Sequence, residues 1–167
     1  MKRLILLALV SLAGTFGTGL AHAHGTKLAV PDFPQWKEEC GSCHVAYPPK
    51  LLTAADWVRL MGSLDKHFGD NATIDAKPNR EILDFLQRNA ASGSKYSASS
   101  LRITDTPWFT REHHEVPKRA WTDPAVKSRA NCTACHINAE RGDWSERGVR
   151  MPAGLKEEEG EDEGDDD

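Results

Sequence analysis

The chain has 167 residues, a net charge of −4 and a mean hydropathy of −0.55. A chain of this length excludes a large enzyme, a multi-domain machine and a multispanning membrane protein. After Ala23, Leu, Ile, Val and Phe supply only 23 of 144 residues, a fraction typical of disordered chains, yet this stretch also holds five tryptophans and four cysteines. Something other than aliphatic side chains must supply part of the core.

The N-terminus has the pattern of a secretory signal peptide. Lys2 and Arg3 precede an apolar run over residues 4–12, and Ala21-His22-Ala23 provides small residues where a signal peptidase cleaves. The alternative is a membrane anchor, but the strongly apolar segment is shorter than a bilayer span. We therefore predict that residues 1–23 are a signal peptide and that the mature protein is exported and soluble.

Three amphipathic stretches are predicted to form helices. The first covers about residues 34–45. The second opens at Thr53, a capping residue, and its apolar face continues as far as His67 before Gly69 ends the helix. The third covers about residues 79–91 and is followed by a serine-rich linker.

The remainder of the chain has little periodicity. Between residues 101 and 152 only Asp123-Pro124 predicts a helix start, leading towards the second cysteine motif. Residues 156–167 contain one lysine and nine carboxylates, so this acidic tail is predicted to be disordered. No basic stripe is present, which argues against nucleic acid as a partner.

All four cysteines occur in two copies of one pattern, Cys-x-x-Cys-His, which is the signature of covalent c-type haem attachment. Cysteines at i and i+3 lie on one face of a helix and can form thioethers with the two vinyl groups of one porphyrin. The histidine that follows then lies under the ring and ligates the iron. The sequence therefore predicts two haem c groups, with thioethers at Cys40, Cys43, Cys132 and Cys135 and proximal iron ligands at His44 and His136.

Three other interpretations of the cysteines were open. Disulfides within each pair are possible in an oxidising compartment, but a histidine after both pairs is then a coincidence. A thioredoxin-like motif expects a βαβ context, which is absent. A zinc site could use both pairs, although their separation of 92 residues is far from zinc-finger spacing.

Two porphyrins would also explain the composition, because each brings a broad apolar surface that aromatic side chains can enclose. Ordinary core packing remains the alternative for any one of these side chains. The candidates are Trp36, Trp57, Trp108, Phe109, Trp121 and Trp144.

Each iron needs a second axial ligand or keeps an open position. His67 is favoured because it continues an apolar helix face, whereas Met61 fits the apolar stripe as a core residue. His113 and His114 are adjacent, so only one of them is expected to face an iron. The full set outside the attachment motifs is His24, Met61, His67, His113, His114 and Met151.

Several further segments resemble the small periplasmic dihaem cytochromes c, which are known as electron donors to a high-spin, oxygen-binding cytochrome c. The resemblance covers about residues 33–152. It is carried by Glu39 to Pro49 (ECGSCHVAYPP), Leu51-Leu52, Trp57, Leu60-Met61, His67-Phe68-Gly69, Ile103-Thr104, Pro107-Trp108-Phe109, Arg111-Glu112-His113, Glu115-Val116-Pro117 and Asn131 to His136.

The resemblance implies a mostly α fold, with a small helical cytochrome c-like N-terminal haem domain (residues 24–92) and an irregular, loop-rich C-terminal haem domain (residues 93–155). It also implies histidine–histidine ligation of both irons, with His67 and His113 as the distal ligands and His114 as the alternative to His113. Electron transfer would run between closely spaced haems in the periplasm. The implied redox partners are a high-spin cytochrome c and a membrane-bound cytochrome b-type electron donor.

The predicted function is therefore one-electron transfer by a dihaem c-type cytochrome rather than catalysis. The alternative is a small haem enzyme, either a peroxidase or a nitrogen-oxide reductase, or a ligand sensor. Each of these needs one iron with an open or displaceable sixth position. The sequence holds enough histidines to fill both irons.

Overall fold

The computed structural model describes Leu28 and residues 31–155. The predicted signal peptide, residues 1–23, and the predicted disordered tail, residues 156–167, lie outside the described residues. The described chain is mostly helical, as expected from the sequence, and contains isolated bridges but no β-strand. Its four α-helices are α1 (Pro34–Gly41), α2 (Ala54–Met61), α3 (Ala76–Asn89) and α4 (Pro107–Glu112).

Short 3₁₀ helices connect these elements. Such helices rarely exceed three or four residues, so they leave no periodic pattern in the sequence. Five of them follow Leu101 in the described chain, which accounts for the weak periodicity there. They are Pro49–Leu51, Leu64–Lys66, Ser94–Tyr96, Ile103–Asp105, Lys118–Thr122, Cys132–Ala134, Ala139–Arg141 and Glu146–Gly148.

Helix α2 begins as the capping pattern predicted. The Thr53 hydroxyl oxygen accepts a hydrogen bond from the Asp56 amide at 3.2 Å. The buried Asp56 carboxylate in turn accepts bonds from the Thr53 hydroxyl at 2.8 Å and the Arg59 guanidinium at 3.1 Å. Its charge is therefore partnered, which a buried carboxylate requires.

A helical core forms where α2 and α3 pack together. Trp36 of α1 joins it, with its ring 5.2 Å from that of Phe85. Each large apolar side chain buried in this way contributes about 1.5–3 kcal/mol to stability. The buried members are Trp36, Leu52, Trp57, Leu60, Met61, Ile82, Phe85 and Leu86.

A second apolar cluster combines residues from both halves of the chain. Leu28 and Leu51 pack there against Trp108 and Phe109 of α4. The partition into haem domains at residues 92/93 stays a prediction, and this cluster lies across that boundary.

The second predicted helix is shorter than expected. It ends at Met61, and His67 follows the separate 3₁₀ helix Leu64–Lys66 rather than continuing the face of α2. The physical reason is local, because the Ser63 hydroxyl donates to the Arg59 carbonyl at 2.9 Å and competes with the next helical turn. His67 therefore does not lie on the apolar face of a helix, and that prediction was wrong.

Three other helix expectations differ from the structure. Helix α1 ends at Gly41 instead of residue 45, with the Ser42 hydroxyl donating to a carbonyl of its last turn at 3.1 Å. Helix α3 begins three residues earlier than predicted. Asp123 accepts a bond from the Ala125 amide at 2.8 Å, but the chain then turns at Lys127 (φ +67°) and forms no helix.

Within the described residues, every helix is too short or too polar to cross a bilayer.

Candidate haem sites

The first Cys-x-x-Cys-His motif straddles the end of α1. Cys40 is the penultimate residue of the helix and is half-buried, whereas Cys43 and His44 lie in the following turn and are exposed. Because Ser42 keeps right-handed helical torsions (φ −66°, ψ −27°), the turn preserves the spacing that a helix would give the two cysteines. The motif thus places the Cys43 thiol and the imidazole at the surface beside α1, with the Cys40 thiol half-buried next to them.

The His44 ring is held by two contacts. Its Nδ1 lies 2.8 Å from the Val45 carbonyl oxygen, which leaves Nε2 available to a metal. The Tyr47 ring packs nearly parallel to it, with the centroids 4.5 Å apart. Tyr47 also donates its phenol proton to the Ala130 carbonyl at 2.5 Å, across 83 residues of sequence.

His67 is positioned by a tight turn. Its amide donates to the Asp70 carbonyl at 2.8 Å, and the Asp70 amide donates back at 3.1 Å. Gly69 has φ +116° inside this turn, a backbone conformation that residues other than glycine rarely adopt. The turn therefore fixes the backbone of His67 although no α-helix carries it.

The second Cys-x-x-Cys-His motif lies on the 3₁₀ helix Cys132–Ala134. The Cys135 amide donates to the Cys132 carbonyl at 3.2 Å, and side chains at i and i+3 eclipse in a 3₁₀ helix. His136 forms an isolated bridge with Val149, and its buried Nδ1 has no hydrogen-bond partner among the described residues. A tight turn rather than an α-helix thus aligns the two thiols here.

The two adjacent histidines that follow α4 lie in different surroundings. His113 is half-buried, its ring stacks on Phe109 at 4.0 Å, and its Nδ1 lies 2.9 Å from the Phe109 carbonyl oxygen. His114 is exposed, with Nδ1 2.8 Å from the Arg111 carbonyl and Nε2 3.7 Å from a Glu115 carboxylate oxygen. Of these two, His113 has its ring beside an attachment motif, with its centroid 6.2 Å from that of His136.

Four histidines form two pairs, and each pair joins a histidine of a Cys-x-x-Cys-His motif to a histidine outside the motifs. His44 faces His67 with ring centroids 6.2 Å apart, and His113 faces His136 at the same distance of 6.2 Å. A histidine nitrogen binds a transition metal at about 2.0–2.1 Å and lies about 1.1 Å from its own ring centroid, so imidazoles on opposite faces of one metal have centroids roughly 6 Å apart. Both pairs match this separation.

Two cavities adjoin the motifs. One, of about 910 Å³, is lined by Cys43, His44 and Tyr47, whereas the other, of about 600 Å³, is lined by Cys135 and His136. The cavities share part of their lining, including Cys132 and Trp144. The second cavity also contains most of the predicted aromatic candidates, namely Trp108, Phe109, Trp121 and Trp144.

Trp36 and Trp57 behave differently from those side chains. Trp36 lines the first cavity and also belongs to the helical core. Trp57 lines neither cavity; its indole donates to the Pro49 carbonyl at 2.7 Å inside the helical core. For Trp57, ordinary core packing is therefore the role that the structure supports.

Burial sets the protonation of the site. It raises the pKa of the Cys40 and Cys132 thiols to about 11, and it lowers the pKa of His67, His113 and His136. At neutral pH the thiols are consequently protonated, and the imidazoles are in the neutral form that binds iron. Thioether formation consumes a thiol, so this state suits attachment of a porphyrin.

Other uses of the cysteines find less support in the geometry. All four thiols are free, and no three His, Cys, Asp or Glu side chains converge as a metal cluster within the described chain. Instead, each of the two sites has two thiols beside a pair of histidines. This set and the two adjoining cavities, the second of them walled by aromatic side chains, fit two porphyrin-bound irons.

The remaining histidine and methionine candidates take other positions. Met61 is buried in the helical core at 5% exposure, as its place in the apolar stripe suggested. Met151 packs against the small cluster of Ala120, Val126 and Leu155. His24 lies outside the described residues.

Two Cys-x-x-Cys-His motifs, each with a histidine pair and an adjoining cavity, define a c-type haem protein with two haems. A profile of the dihaem cytochrome c family matches residues 36–144, about two thirds of the chain. The chain belongs to the dihaem cytochrome c family, and its cofactors are two covalently bound haem c groups. No curated protein sequence matches it.

Solved structures of the same kind resemble the chain over most of its length. A dihaem cytochrome c, DHC, from Rhodobacter sphaeroides has 41% identity and a TM-score of 0.60, over 68% of this chain and 98% of its own. The dihaem cytochrome c sb-DHC from Shewanella baltica OS155 has 37% identity and a TM-score of 0.64, over 74% of this chain and 96% of its own.

Sequence reasoning missed two side chains at these sites. Tyr47 contacts His44 of the first motif and the Ala130 carbonyl, two residues before the second motif. Arg129 lies over the rings of Phe109 and Trp121, 5.2 and 5.6 Å from their centroids. Only the position of Tyr47 three residues after His44 hinted at its role. Nothing in the sequence around Arg129 distinguishes it from the other basic residues.

Proposed function

We propose that this protein is an electron-transfer cytochrome whose two irons are each bound by two histidines. In this assignment Cys40 and Cys43 hold one haem, with His44 as its proximal ligand and His67 as its distal ligand. Cys132 and Cys135 hold the other, with His136 and His113. The observation that carries the proposal is the 6.2 Å separation of the imidazoles in both pairs.

A haem that is six-coordinate in both oxidation states supplies one-electron redox chemistry and no site for substrate. The chain then has three tasks: to hold each imidazole, to exclude water and to keep the two sites close. The shared wall of the cavities, which includes Cys132 and Trp144, supports the last of these. A peroxidase, a nitrogen-oxide reductase or a sensor would need one open position, and the two histidine pairs leave none.

The proposed location and partners rest on the signal-peptide pattern and on the family. The signal-peptide pattern supports export, and the family supports a place in the periplasm. There the protein would take single electrons from a membrane-bound cytochrome b-type donor and pass them to a high-spin cytochrome c. Both partners are proposals that rest on the family resemblance.

Single alanine substitutions of the distal histidines test the ligation. His67→Ala and His113→Ala should each convert one haem to the high-spin state and allow it to bind carbon monoxide, because the sixth position is left to water. The absorption spectrum and a carbon monoxide titration of the reduced protein measure both effects. His114→Ala is the matched control and should convert neither haem.

The outcomes separate the alternatives. If His114→Ala converts a haem and His113→Ala does not, the distal ligand is His114 and the proposed assignment is wrong by one residue. If neither His67→Ala nor His113→Ala changes a spin state, bis-histidine ligation through these residues is contradicted.

A further inference from the structure

Each proposed distal histidine contacts a phenylalanine ring. The centroid of the Phe68 ring lies 4.8 Å from that of His67. The Phe109 ring stacks on that of His113, with the centroids 4.0 Å apart and an angle of 17° between the planes. Groups that contact a ligating histidine help to fix the orientation of its ring. The two phenylalanines are therefore placed to limit the movement of the distal ligands.

A guanidinium lies over each of these phenylalanine rings. The Cζ atom of Arg102 is 4.4 Å from the centroid of Phe68, and that of Arg129 is 5.2 Å from the centroid of Phe109. A guanidinium within about 6 Å of a ring centroid is attracted to the face of the ring. The same sequence of contacts, from arginine to phenylalanine to distal histidine, thus occurs at both sites.

The second arginine contacts a further ring beside its histidine. Arg129 also lies over Trp121, 5.6 Å from the centroid of that ring. The Trp121 ring in turn meets His113 edge-on, with the centroids 6.0 Å apart. One guanidinium therefore contacts both the phenylalanine and the tryptophan that pack on this histidine.

Unusual backbone conformations occur in the same segments. Three non-glycine residues of the described chain have positive φ, namely Phe68 (+55°), Leu101 (+61°) and Lys127 (+67°). Phe68 is itself one of the two rings. Leu101 directly precedes the first arginine, and Lys127 lies two residues before the second. Bulky side chains rarely adopt this conformation, which persists where surrounding contacts hold it and is most frequent at functional sites.

We infer that Arg102 and Arg129 are positioning residues for the distal ligands, a role that rests on the bis-histidine ligation proposed above. Each arginine holds a phenylalanine ring against a distal histidine and thereby slows the dissociation of that histidine from the iron. A cation–ring contact at an exposed position corresponds to a factor of about two to five in an equilibrium constant. Loss of the guanidinium should speed dissociation of the histidine by a factor of the same size.

The rate at which cyanide replaces each distal histidine in the oxidised protein measures this dissociation. When cyanide is in large excess, replacement can proceed no faster than the histidine leaves the iron. Stopped-flow absorbance therefore gives one limiting rate for each haem. The variants His67→Ala and His113→Ala each retain one distal histidine, so they show which rate belongs to which haem.

Glutamine substitutions remove the two guanidinium groups one at a time. Arg102→Gln should raise the limiting rate at the first haem about two- to fivefold and leave the second unchanged, and Arg129→Gln should do the reverse. Lys95→Gln is the matched control, because Lys95 lies over Tyr96 at 5.0 Å and that ring packs on Trp108. This third cation–ring contact supports no distal histidine, so its loss should change neither rate.

A double-mutant cycle tests whether the first arginine acts through the ring. In a Phe68→Leu variant the guanidinium has no ring to hold, so adding Arg102→Gln should cause no further increase in the limiting rate. An equal increase with and without the ring would show that the arginine acts by its charge alone. That result would overturn the inference.

Two other outcomes would also overturn it. The first is an unchanged limiting rate in Arg102→Gln and Arg129→Gln, and the second is an increase of the same size in Lys95→Gln. Either result leaves the ligation intact, because the oxidised proteins are low-spin before cyanide is added. A high-spin spectrum of the oxidised wild type would instead contradict the ligation, and the positioning role would fail with it.

Discussion

Tyr47 connects the two haem sites through a single side chain. Its ring supports the imidazole of His44, and its hydroxyl holds the Ala130 carbonyl two residues before Cys132. Burial raises the pKa of Tyr47, so the phenol stays protonated and remains a donor. The residue therefore couples the surroundings of one motif to the backbone of the other.

Replacing Tyr47 by phenylalanine should remove the hydrogen bond of its hydroxyl and keep the contact of its ring with His44. Tyr47→Phe keeps the ring against His44 and removes one of the two donors to the half-buried Ala130 carbonyl, which retains the Cys132 amide at 3.0 Å. Loss of this one hydrogen bond should lower the free energy of unfolding by about 1 kcal/mol. Denaturant titration followed by circular dichroism measures this. Tyr96→Phe is the control, because the Tyr96 hydroxyl has no hydrogen bond with any described residue. Equal effects of the two substitutions would contradict the coupling.

At the scale of single residues, the sequence was enough to predict most of the residues that attach and ligate the haems. Cys-x-x-Cys-His is a local pattern, so its thiols and proximal imidazoles can be identified without a fold. The choice between His113 and His114 could not be made from the residues, because it depends on which ring is stacked by Phe109 and which is exposed. The contact of Tyr47 with Ala130 spans 83 residues and has no local signature.

At the scale of elements, helix α4 supports the second histidine pair. Thr106 is fully buried, and its hydroxyl oxygen accepts a hydrogen bond from the Phe109 amide at 3.1 Å, which caps the helix. The Phe109 ring and carbonyl then hold His113. A capping residue thus contributes to the position of the proposed distal ligand, His113.

Loss of this helix cap should lower the stability of the folded protein measurably. Thr106→Ala is expected to lower the free energy of unfolding by about 1–2 kcal/mol, because the Phe109 amide loses its partner and a small gap opens. Thr106→Ser keeps the hydroxyl and should cost less. Thermal unfolding of both variants measures the difference, and a serine variant as unstable as the alanine variant would argue against capping.

The element predictions failed where the chain is controlled by single contacts rather than by periodicity. Helix α4 has six residues, too few for an apolar stripe, and was not predicted. His67 was expected on α2, but the bond of Ser63 to Arg59 ends that helix and a turn at Gly69 fixes the histidine. His67 is half-buried, and the element that holds it is this turn rather than a helix.

At the scale of the whole molecule, the porphyrins complete a core that the chain cannot provide alone. The aliphatic content is low, and the cavities beside the motifs have volumes of about 910 and 600 Å³. Without haem, the aromatic walls of the second cavity would have no apolar surface to enclose. Folding and cofactor attachment should therefore be coupled, as in small metal-binding domains.

A variant with all four cysteines changed to alanine tests this coupling. It cannot form thioethers, so we expect it to be largely unfolded. Far-ultraviolet circular dichroism of the variant and of the haem-loaded wild type gives the comparison. Native-like helical content in the variant would show that the protein part folds without its cofactors.

The central claim is that both irons have two histidine ligands and no open position. Its most direct test is the absorption spectrum of the oxidised wild type, followed by carbon monoxide titration of the reduced protein. With two histidines on each iron, both haems should be low-spin and should bind no carbon monoxide in stoichiometric amounts. High-spin bands together with one carbon monoxide bound per protein would contradict it and favour a haem enzyme or a ligand sensor.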